Sequence, residues 1–264
     1  LFRSLKTYLD FALQTASDAG KITLKYYQRG IQLEYKLDNT PVTIADRETE
    51  QFIRSQITKT FPTHAILGEE YGETLASENP IRWIIDPIDG TRSFMRGVPL
   101  YGVLIGLEIE GVCKVGVAHF PALQETLYAA EGSGCWWNGQ LARVSQVSRL
   151  NQALVAHADA ASFARLGKKP AWERLQRATQ YRAGWGDCYG YMLVATGRAE
   201  VMLDPIMNVW DCGPFPVIFS EAGGYFGDWR GNPTIHHGEA MATNLELLPQ
   251  VLDILNADEN DLST

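Results

Sequence analysis

The stretch "WIIDPIDGTRSF", from Trp83 to Phe94, decides how this chain is interpreted. Its apolar start is typical of a buried strand, and two aspartates, Asp86 and Asp89, follow where that strand would end. Carboxylates beside a hydrophobic core are costly unless a cation neutralises them. The stretch therefore predicts a cation-binding site at the end of a strand.

Further acidic residues are candidates for the same site. Glu69 and Glu70 follow the apolar segment "AILG", Asp211 lies in "NVWDCG", and Asp46 lies in "VTIAD". A strand end holds a side chain rigidly. Hard cations such as Mg²⁺ are bound through a few carboxylates plus substrate phosphate. Two aspartates so close in sequence can each reach a different ion of a pair, with the ions roughly 3.5–4 Å apart.

Gly90 and Thr91 complete a pattern that suits a phosphate group. A glycine lets the backbone approach a ligand closely. A helix that begins here would point its free N–H groups at an anion. The Thr91 hydroxyl can hold a water, and Asp46 or Glu70 can accept the proton of that water.

Each acidic segment also has an ordinary structural explanation. Glu69 and Glu70 are explained by a solvated charge run, Asp86 by a turn, and Asp211 by a helix N-cap. The string "DPIDGT", together with "GEE" before it and "WD" after it, favours one shared site over separate explanations.

Composition excludes several classes of protein. The formal net charge of −8 argues against nucleic acid as the partner, because phosphate backbones require clustered Lys and Arg. The chain has no run of 18 apolar residues, so we expect no membrane span. The four cysteines match no zinc or CxxC pattern, so we expect free thiols in a reducing compartment. We predict a cytoplasmic protein, or the mature form of an organellar one.

Hydrophobic periodicity predicts alternating helices and strands. Residues 1–29 form an amphipathic pattern that ends at Gly30, and a second helix is expected to begin at Thr43 or Asp46. The segments "AILGEE" and "RWIID" are predicted strands. The region 101–144 has the pattern of an antiparallel sheet.

The rest of the chain alternates strand and helix. "ALVAH" and "AEVML" are predicted strands, while "DCYGYMLVATG" and "LELLPQVLDIL" are predicted helices. We expect an α/β (α+β) protein in which sheets and helices form layers. Residues 1–264 are treated as one domain, with lobes at about 1–150 and 151–264.

The motifs resemble those of the inositol monophosphatase-like superfamily. "GEE" at 68–70, "WIIDPIDGT" at 83–91 and "WDCG…EAGG" at 210–224 match its signature in order and spacing. The resemblance covers nearly the whole chain. It implies a layered αβαβα sandwich, often dimeric, that hydrolyses phosphate monoesters by direct attack of a metal-activated water. It implies two or three Mg²⁺ ions, with Mn²⁺ as a substitute, a small phosphate monoester as substrate, and a homodimer.

The resemblance also implies roles for individual residues. It implies that the metal ligands are Glu70, Asp86, the Ile88 carbonyl, Asp89 and Asp211. Thr91 would orient the attacking water, with Asp46 as its partner. Gly90 and Thr91 would supply phosphate-binding amides. Glu69 would support the ligands from behind without touching the metal.

Within the superfamily, two segments resemble the histidinol-phosphate phosphatase branch. They are "DGTRSFMRGVPLYGVLIGL" and "YRAGWGDCYGYMLVATGRAEVMLDP". Ser93 stands where inositol-type enzymes typically carry Asn. The branch implies that Ser93, Arg182, Asp187 and Asp204 face the substrate. Histidinol phosphate carries an ammonium and an imidazole, which Asp187 and Asp204 can bind, and Arg182 can pair with Asp187. Asp187 is also explained as a helix N-cap.

Two alternatives stay open at this point. The same chemistry can act on inositol 1-phosphate or on nucleotide 3′-phosphates or sugar phosphates. The chain can also be a non-catalytic member that binds metal and a partner protein, although its intact acidic set argues against this. Pro214 and Pro216 depart from the expected pattern. They stand where the helix after Asp211 should begin, and we expect them to distort its start.

Overall fold

The computed structural model describes residues 4–29, 34–35, 41–74 and 79–257 of the chain. Its helices are α1 Leu5–Tyr26, α2 Ile44–Thr60, α3 Thr91–Met95, α4 Ala160–Arg165, α5 Lys169–Ala178, α6 Asp187–Ala195, α7 Val209–Cys212, α8 Phe215–Ala222 and α9 Leu248–Asn256, with a 3₁₀ turn at Leu150–Gln152. Its strands are β1 Glu34–Tyr35, β2 Pro41–Val42, β3 Ala65–Gly68, β4 Gly72–Thr74, β5 Ile81–Asp89, β6 Gly102–Ile109, β7 Val112–Phe120, β8 Glu125–Ala130, β9 Cys135–Trp137, β10 Gln140–Leu141, β11 Leu154–His157, β12 Tyr181–Ala183, β13 Val201–Asp204, β14 Gly224–Gly227 and β15 Ala240–Asn244.

The first two helices begin at side chains that cap them. Ser4 accepts a backbone N–H from the first turn of α1. Thr43 and Asp46 form a capping box at the start of α2, in which Asp46 Oδ2 accepts the Thr43 N–H at 2.8 Å. Of the two expected starting residues, Thr43 is the one that precedes the helix. Gly30, expected to end the first helix, lies outside the described residues.

The strands form two main sheets. The larger sheet has the order β10-β9-β8-β7-β6-β5-β3-β4 and is antiparallel except for the β3–β5 pair. The smaller sheet has the order β12-β11-β13-β15-β14, with β11 parallel to both of its neighbours. Strands β1 and β2 pair separately. The antiparallel sheet expected over 101–144 is confirmed in β6 to β10.

Alternating side chains build five layers from these elements. On β5, Trp83 and Ile85 pack with α1 and α2, whereas Ile84 packs with α6 and α8 on the other face. On β13, Met202 faces α6 and α8, and Val201 packs with α5 and α9. This alternation follows from the two-residue period of a strand. The expected αβαβα sandwich is confirmed, with α6 and α8 between the sheets.

The central helix layer packs against both sheets, so the two sheets share one hydrophobic core. The larger sheet uses strands between residues 65 and 141, and the smaller one uses strands between 154 and 244. We propose that residues 1–264 form one domain with lobes at about 1–150 and 151–264. All four cysteines are free, as expected. Across the described ranges, no helix is long and apolar enough to cross a membrane.

A pair of glycines brings the α7–α8 junction directly onto the larger sheet. Gly106 and Gly116 are opposite each other on β6 and β7. A β-carbon at Gly106 would lie 2.5 Å from the Gly213 carbonyl oxygen, and one at Gly116 would lie 2.2 Å from that of Pro214. Only glycine allows so close an approach of two backbones. The contact fixes the segment that follows Asp211.

The two prolines of this segment break it into two helices. Helix α7 ends at Cys212, and α8 begins at Phe215 with Pro214 before it and Pro216 as its second residue. These are positions where a helix does not need the missing N–H. The expected distortion is thus a short interruption, and Asp211 stays within the helix that precedes it.

Candidate active site

Three of the predicted metal ligands meet at one end of the larger sheet. Asp86 and Asp89 lie in the C-terminal part of strand β5, and Asp211 lies in α7. Each offers a carboxylate oxygen, and these three oxygens all lie within 4.8 Å of one another. Asp86 is only 1 % exposed. Asp89 and Asp211 are half-buried, and three carboxylates this close together require a cation or bound protons.

Burial raises the pKa values of all three carboxyl groups, and the charges of neighbouring carboxylates raise them further. Burial raises the pKa of Asp86 well above its ordinary value, and the charges of Glu69 and Asp89 raise it further. Burial also raises the pKa of Asp89 well above its ordinary value, and the charge of Asp187 raises it further. Burial raises the pKa of Asp211 to about 6. This all-oxygen donor set fits a hard divalent cation, whose charge would remove the repulsion.

Backbone N–H groups hold the three carboxylates in place. Asp86 Oδ1 accepts the Ile88 N–H at 3.0 Å. Asp89 Oδ2 accepts the Cys188 N–H, at the start of α6, at 2.5 Å. Asp211 closes a capping box at the start of α7. Helix α6 thereby links the site to the layer between the sheets, with its positive end toward Asp89.

The turn after β5 leads directly into the helix that was expected to begin there. Gly90 has φ +82°, and a β-carbon there would lie 2.9 Å from the Leu100 carbonyl oxygen, so this position requires glycine. Helix α3 begins at Thr91. Thr91 Oγ1 donates a hydrogen bond to the Ile88 carbonyl oxygen at 3.0 Å. Gly90 and Thr91 both line the cleft beside the three aspartates.

Asp46 is fully buried and only half of its carboxylate is used. Oδ2 accepts hydrogen bonds from the Thr43 N–H and hydroxyl at 2.8 and 2.6 Å. Among the residues that the structure describes, Oδ1 has no hydrogen-bond partner. Burial raises the pKa of Asp46 to about 6, against the lowering effect of the Thr43 hydrogen bonds. A buried oxygen without a partner fits a water or an ion.

The two glutamates of the "GEE" motif have different surroundings. Glu69 lines the cleft, and its charge is the strongest influence after burial on the pKa of Asp86. The charge of Glu70 acts instead on Asp46, and the Glu70 N–H donates to Glu50 at 2.7 Å. The expected roles placed Glu70 on the metal and Glu69 behind it. This placement favours the reverse.

A cleft of about 450 Å³ lies beside these residues, and predicted substrate-facing residues line it. Ser93, Asp187 and Asp204 all belong to its lining. Asp204 lies at the end of β13 and is 6 % exposed. Burial raises the pKa of Asp204 well above its ordinary value, and burial also raises the pKa of Asp187. Ionising these carboxyl groups is therefore costly, and a cationic ligand group would offset that cost.

Asp187 reaches the cleft through an unusual backbone conformation. Gly186 holds the N-cap position of α6 without a side-chain cap, so the N-cap explanation of Asp187 is wrong. Asp187 is the first residue of the helix and has φ +53°, which is rare for a residue other than glycine. Its Oδ2 would lie 3.3 Å from a β-carbon placed on Gly90. Strain of this kind clusters at functional sites.

Arg182 lies away from the cleft, and its expected pairing with Asp187 is not formed. Its guanidinium donates to the Thr179 carbonyl oxygen at 2.9 Å. Ala183, the next residue of β12, is buried, so Arg182 projects from the opposite face of this edge strand. The cation that acts on Asp187 is Arg92, which lowers the pKa of that carboxyl group against the effect of burial.

Among the polar and charged residues of the cleft lining, four were not predicted: Arg92, Asp159, Ser162 and Arg165. Asp159 caps α4 and pairs with Arg165 at 3.4 Å. Asp159 comes two residues after the end of β11, so the rule that identified the other strand-end carboxylates would have found it. Arg92 lies inside the opening motif, but nothing in its sequence context sets it apart from an ordinary surface arginine.

The layered αβαβα fold and this site define a class of protein. Buried carboxylates that fit divalent cations lie beside a glycine–threonine turn and an open cleft. Such an arrangement suits metal-assisted hydrolysis of phosphate esters. The class is therefore that of the metal-dependent phosphatases.

The particular family follows from comparisons with known proteins. A model of the inositol monophosphatase family matches residues 4–258, so the chain belongs to this metal-dependent family. A histidinol-phosphatase from Chlorobaculum parvum is 46 % identical, over 89 % of this chain and 91 % of that protein. One from Mycobacterium tuberculosis is 36 % identical, over 94 % and 98 %. The solved structure of an IMPase from Thermotoga maritima has a TM-score of 0.85 at 30 % identity and covers 95 % of this chain and 97 % of that one.

Proposed function

We propose that this protein is a Mg²⁺-dependent phosphatase that hydrolyses L-histidinol phosphate to L-histidinol and phosphate, a step of histidine biosynthesis. The observation that carries the substrate is a pair of carboxylates in the cleft, Asp187 and Asp204, of which Asp204 is buried and Asp187 is half-buried. They suit the ammonium and imidazole of histidinol phosphate. Two relatives that carry the name histidinol-phosphatase support the same substrate.

The proposed metal site is built on the three aspartates whose carboxylate oxygens lie within 4.8 Å of one another. Asp86, Asp89 and Asp211 would hold two or three Mg²⁺ ions, or Mn²⁺ in their place, together with Glu69 and the Ile88 carbonyl. When bound, the ions polarise the phosphate and lower the pKa of a water.

The chain's own residues would position the water and the phosphate. The Thr91 hydroxyl is fixed by its hydrogen bond to Ile88 and offers its lone pairs to a water. Asp46, with one oxygen unused, would accept the water's proton as the new bond to phosphorus forms and the bond to the alcohol oxygen breaks. The leaving oxygen would take up a proton from a solvent water, and Asp46 would return its proton to solvent. The amides of Gly90 and Thr91 would bind the phosphate oxygens.

The "GEE" glutamates give a prediction that separates their roles. Glu69→Gln is expected to raise the Mg²⁺ concentration for half-maximal activity about tenfold or more, because it removes a carboxylate that faces Asp86. Glu70→Gln is expected to change that concentration by less than about threefold. Mg²⁺ titrations of phosphate release check both. If Glu70→Gln has the larger effect, Glu70 is the metal ligand, as the family resemblance implies.

The substrate is tested with esters of different charge at fixed Mg²⁺. We expect kcat/KM to be highest for histidinol phosphate, lower for inositol 1-phosphate and lowest for glycerol 2-phosphate. Asp204→Asn is expected to lower kcat/KM for histidinol phosphate about tenfold or more, mainly because KM rises. The same variant is expected to lower kcat/KM for glycerol 2-phosphate by less than about threefold. Equal or better turnover of inositol 1-phosphate by the unaltered protein would instead establish an inositol monophosphatase.

Two further proposals concern the protein as a whole. We propose that it is a homodimer, as its family resemblance implies, and that it works in the cytoplasm. Sedimentation equilibrium tests the homodimer. A measured mass of 29.4 kDa, that of one chain, would exclude it.

A further inference from the structure

A buried ion pair lies one turn along α2 from Asp46. Glu50 is 0 % exposed, and its Oε1 accepts a hydrogen bond from Arg54 Nε at 2.7 Å. Arg54 itself is mostly buried, with 14 % of its side chain exposed. Neither residue lines the cleft, and neither carries a role in the chemistry described above.

Both side chains hold the backbone of the turn that follows β3. Glu50 Oε2 accepts the Glu70 N–H at 2.7 Å, and Oε1 accepts the Tyr71 N–H at 3.2 Å. Arg54 donates to the Gly72 carbonyl oxygen, and its Nη1 donates to Thr74 Oγ1 at 3.0 Å. The turn that carries Glu69 is thus attached to α2 at two points, and the strand β4 that follows it is attached at two more.

The chain also has the space that this attachment needs. Gly68 immediately precedes Glu69, and a β-carbon at Gly68 would lie 2.2 Å from Glu50 Oε1. Any larger residue would push the Glu50 carboxylate away from the turn. The same helix, α2, therefore carries Asp46 toward the site and holds the turn next to it.

Stability alone does not account for this pair. A buried ion pair costs desolvation of both partners, and its replacement by apolar residues of similar volume is often neutral or stabilising. What apolar residues do not supply is a set of directed acceptors and donors for a backbone turn. The contacts of Glu50 and Arg54 are of this directed kind.

We propose that Glu50 is a positioning residue for the metal site. Together with Arg54 it fixes the backbone of residues 69–72, so that the Glu69 carboxylate enters the cleft toward Asp86. This inference rests on the proposed function in one respect, namely that Glu69 is a metal ligand.

Glu50→Gln tests the proposal because it keeps the shape of the side chain. A glutamine has one acceptor oxygen, so its NH₂ group would face one of the backbone N–H groups that the carboxylate now accepts. We expect the dissociation constant for Mg²⁺, measured by calorimetry without substrate, to rise about tenfold or more. Activity at saturating Mg²⁺ is expected to recover to within about threefold of the unaltered protein.

Glu108→Gln is the matched control. Glu108 is 3 % exposed and accepts hydrogen bonds from Arg82 at 2.7 and 2.9 Å, so it too is a buried, paired glutamate. Its partner lies at the far end of β5 from Asp86. We expect this variant to lose thermal stability with a Mg²⁺ dissociation constant within about twofold of the original. Equal shifts in both variants would overturn the proposal, because the effect would then be a general loss of stability.

A second variant covers the case in which Glu50→Gln does not fold. Arg54→Lys keeps the charge but loses the fork that reaches Gly72 and Thr74. We expect it to weaken Mg²⁺ binding about threefold or more, and an unchanged dissociation constant in either folded variant overturns the proposal. Because Mg²⁺ binding is measured without substrate, failure of the substrate assignment would leave this result intact.

Discussion

Asp89→Asn is expected to lower phosphate release by about a thousandfold or more while the protein stays folded, which corresponds to roughly 4 kcal/mol of lost transition-state stabilisation. The asparagine keeps an oxygen that can accept the Cys188 N–H, so the local structure has little reason to change. It removes one of three charges that a divalent cation needs. The measurement is kcat at saturating Mg²⁺ with histidinol phosphate.

Thermal unfolding of the same variant separates metal loss from misfolding. Without Mg²⁺, we expect a melting temperature equal to or above that of the unaltered protein, because one repelling charge is gone. With Mg²⁺ at a hundred times its dissociation constant, the unaltered protein should gain about 2.7 kcal/mol and the variant much less. Asp10→Asn, at an exposed carboxylate of α1, serves as the control. Unchanged phosphate release from Asp89→Asn would place the activity elsewhere.

Asp46→Asn is expected to lower kcat about a hundredfold to a thousandfold without changing the Mg²⁺ concentration for half-maximal activity. An asparagine can still accept the Thr43 N–H and preserve the start of α2. It cannot take the proton of the attacking water. The combination of reduced kcat and an unchanged Mg²⁺ requirement distinguishes this variant from Asp89→Asn.

Thr49→Val is the control for that experiment. Thr49 lies on the same helix, is equally buried, and within the described parts of the chain its hydroxyl has no hydrogen-bond partner. We expect kcat to stay within about twofold. If Asp46→Asn raises the Mg²⁺ requirement as Asp89→Asn does, Asp46 holds the metal and is not the proton acceptor.

Much of the fold followed from local pattern in the sequence. The alternation in "WIID" places Trp83 and Ile85 on one face and Ile84 on the other, which is what the two hydrophobic clusters show. Thr43 precedes α2 because its capping partner Asp46 stands three residues later. The helix expected to begin near Gly90 and Thr91 is α3, which begins at Thr91. In each case the cause lies within a few residues of its effect.

Features that depend on distant parts of the chain were not accessible in this way. The direction of Glu69 and Glu70 depends on how Glu50 and Arg54 hold the turn, and sequence spacing alone does not show that contact. Arg182 was assigned to the cleft by resemblance, but the register of an edge strand turns it away.

The most direct test of the account is anomalous diffraction from crystals soaked in Mn²⁺. We predict a strong anomalous peak within coordination distance of Asp86, Asp89 and Asp211, with the Glu69 carboxylate beside it. Crystals that bind Mn²⁺ elsewhere, with no peak among these carboxylates at saturating metal, would contradict the account.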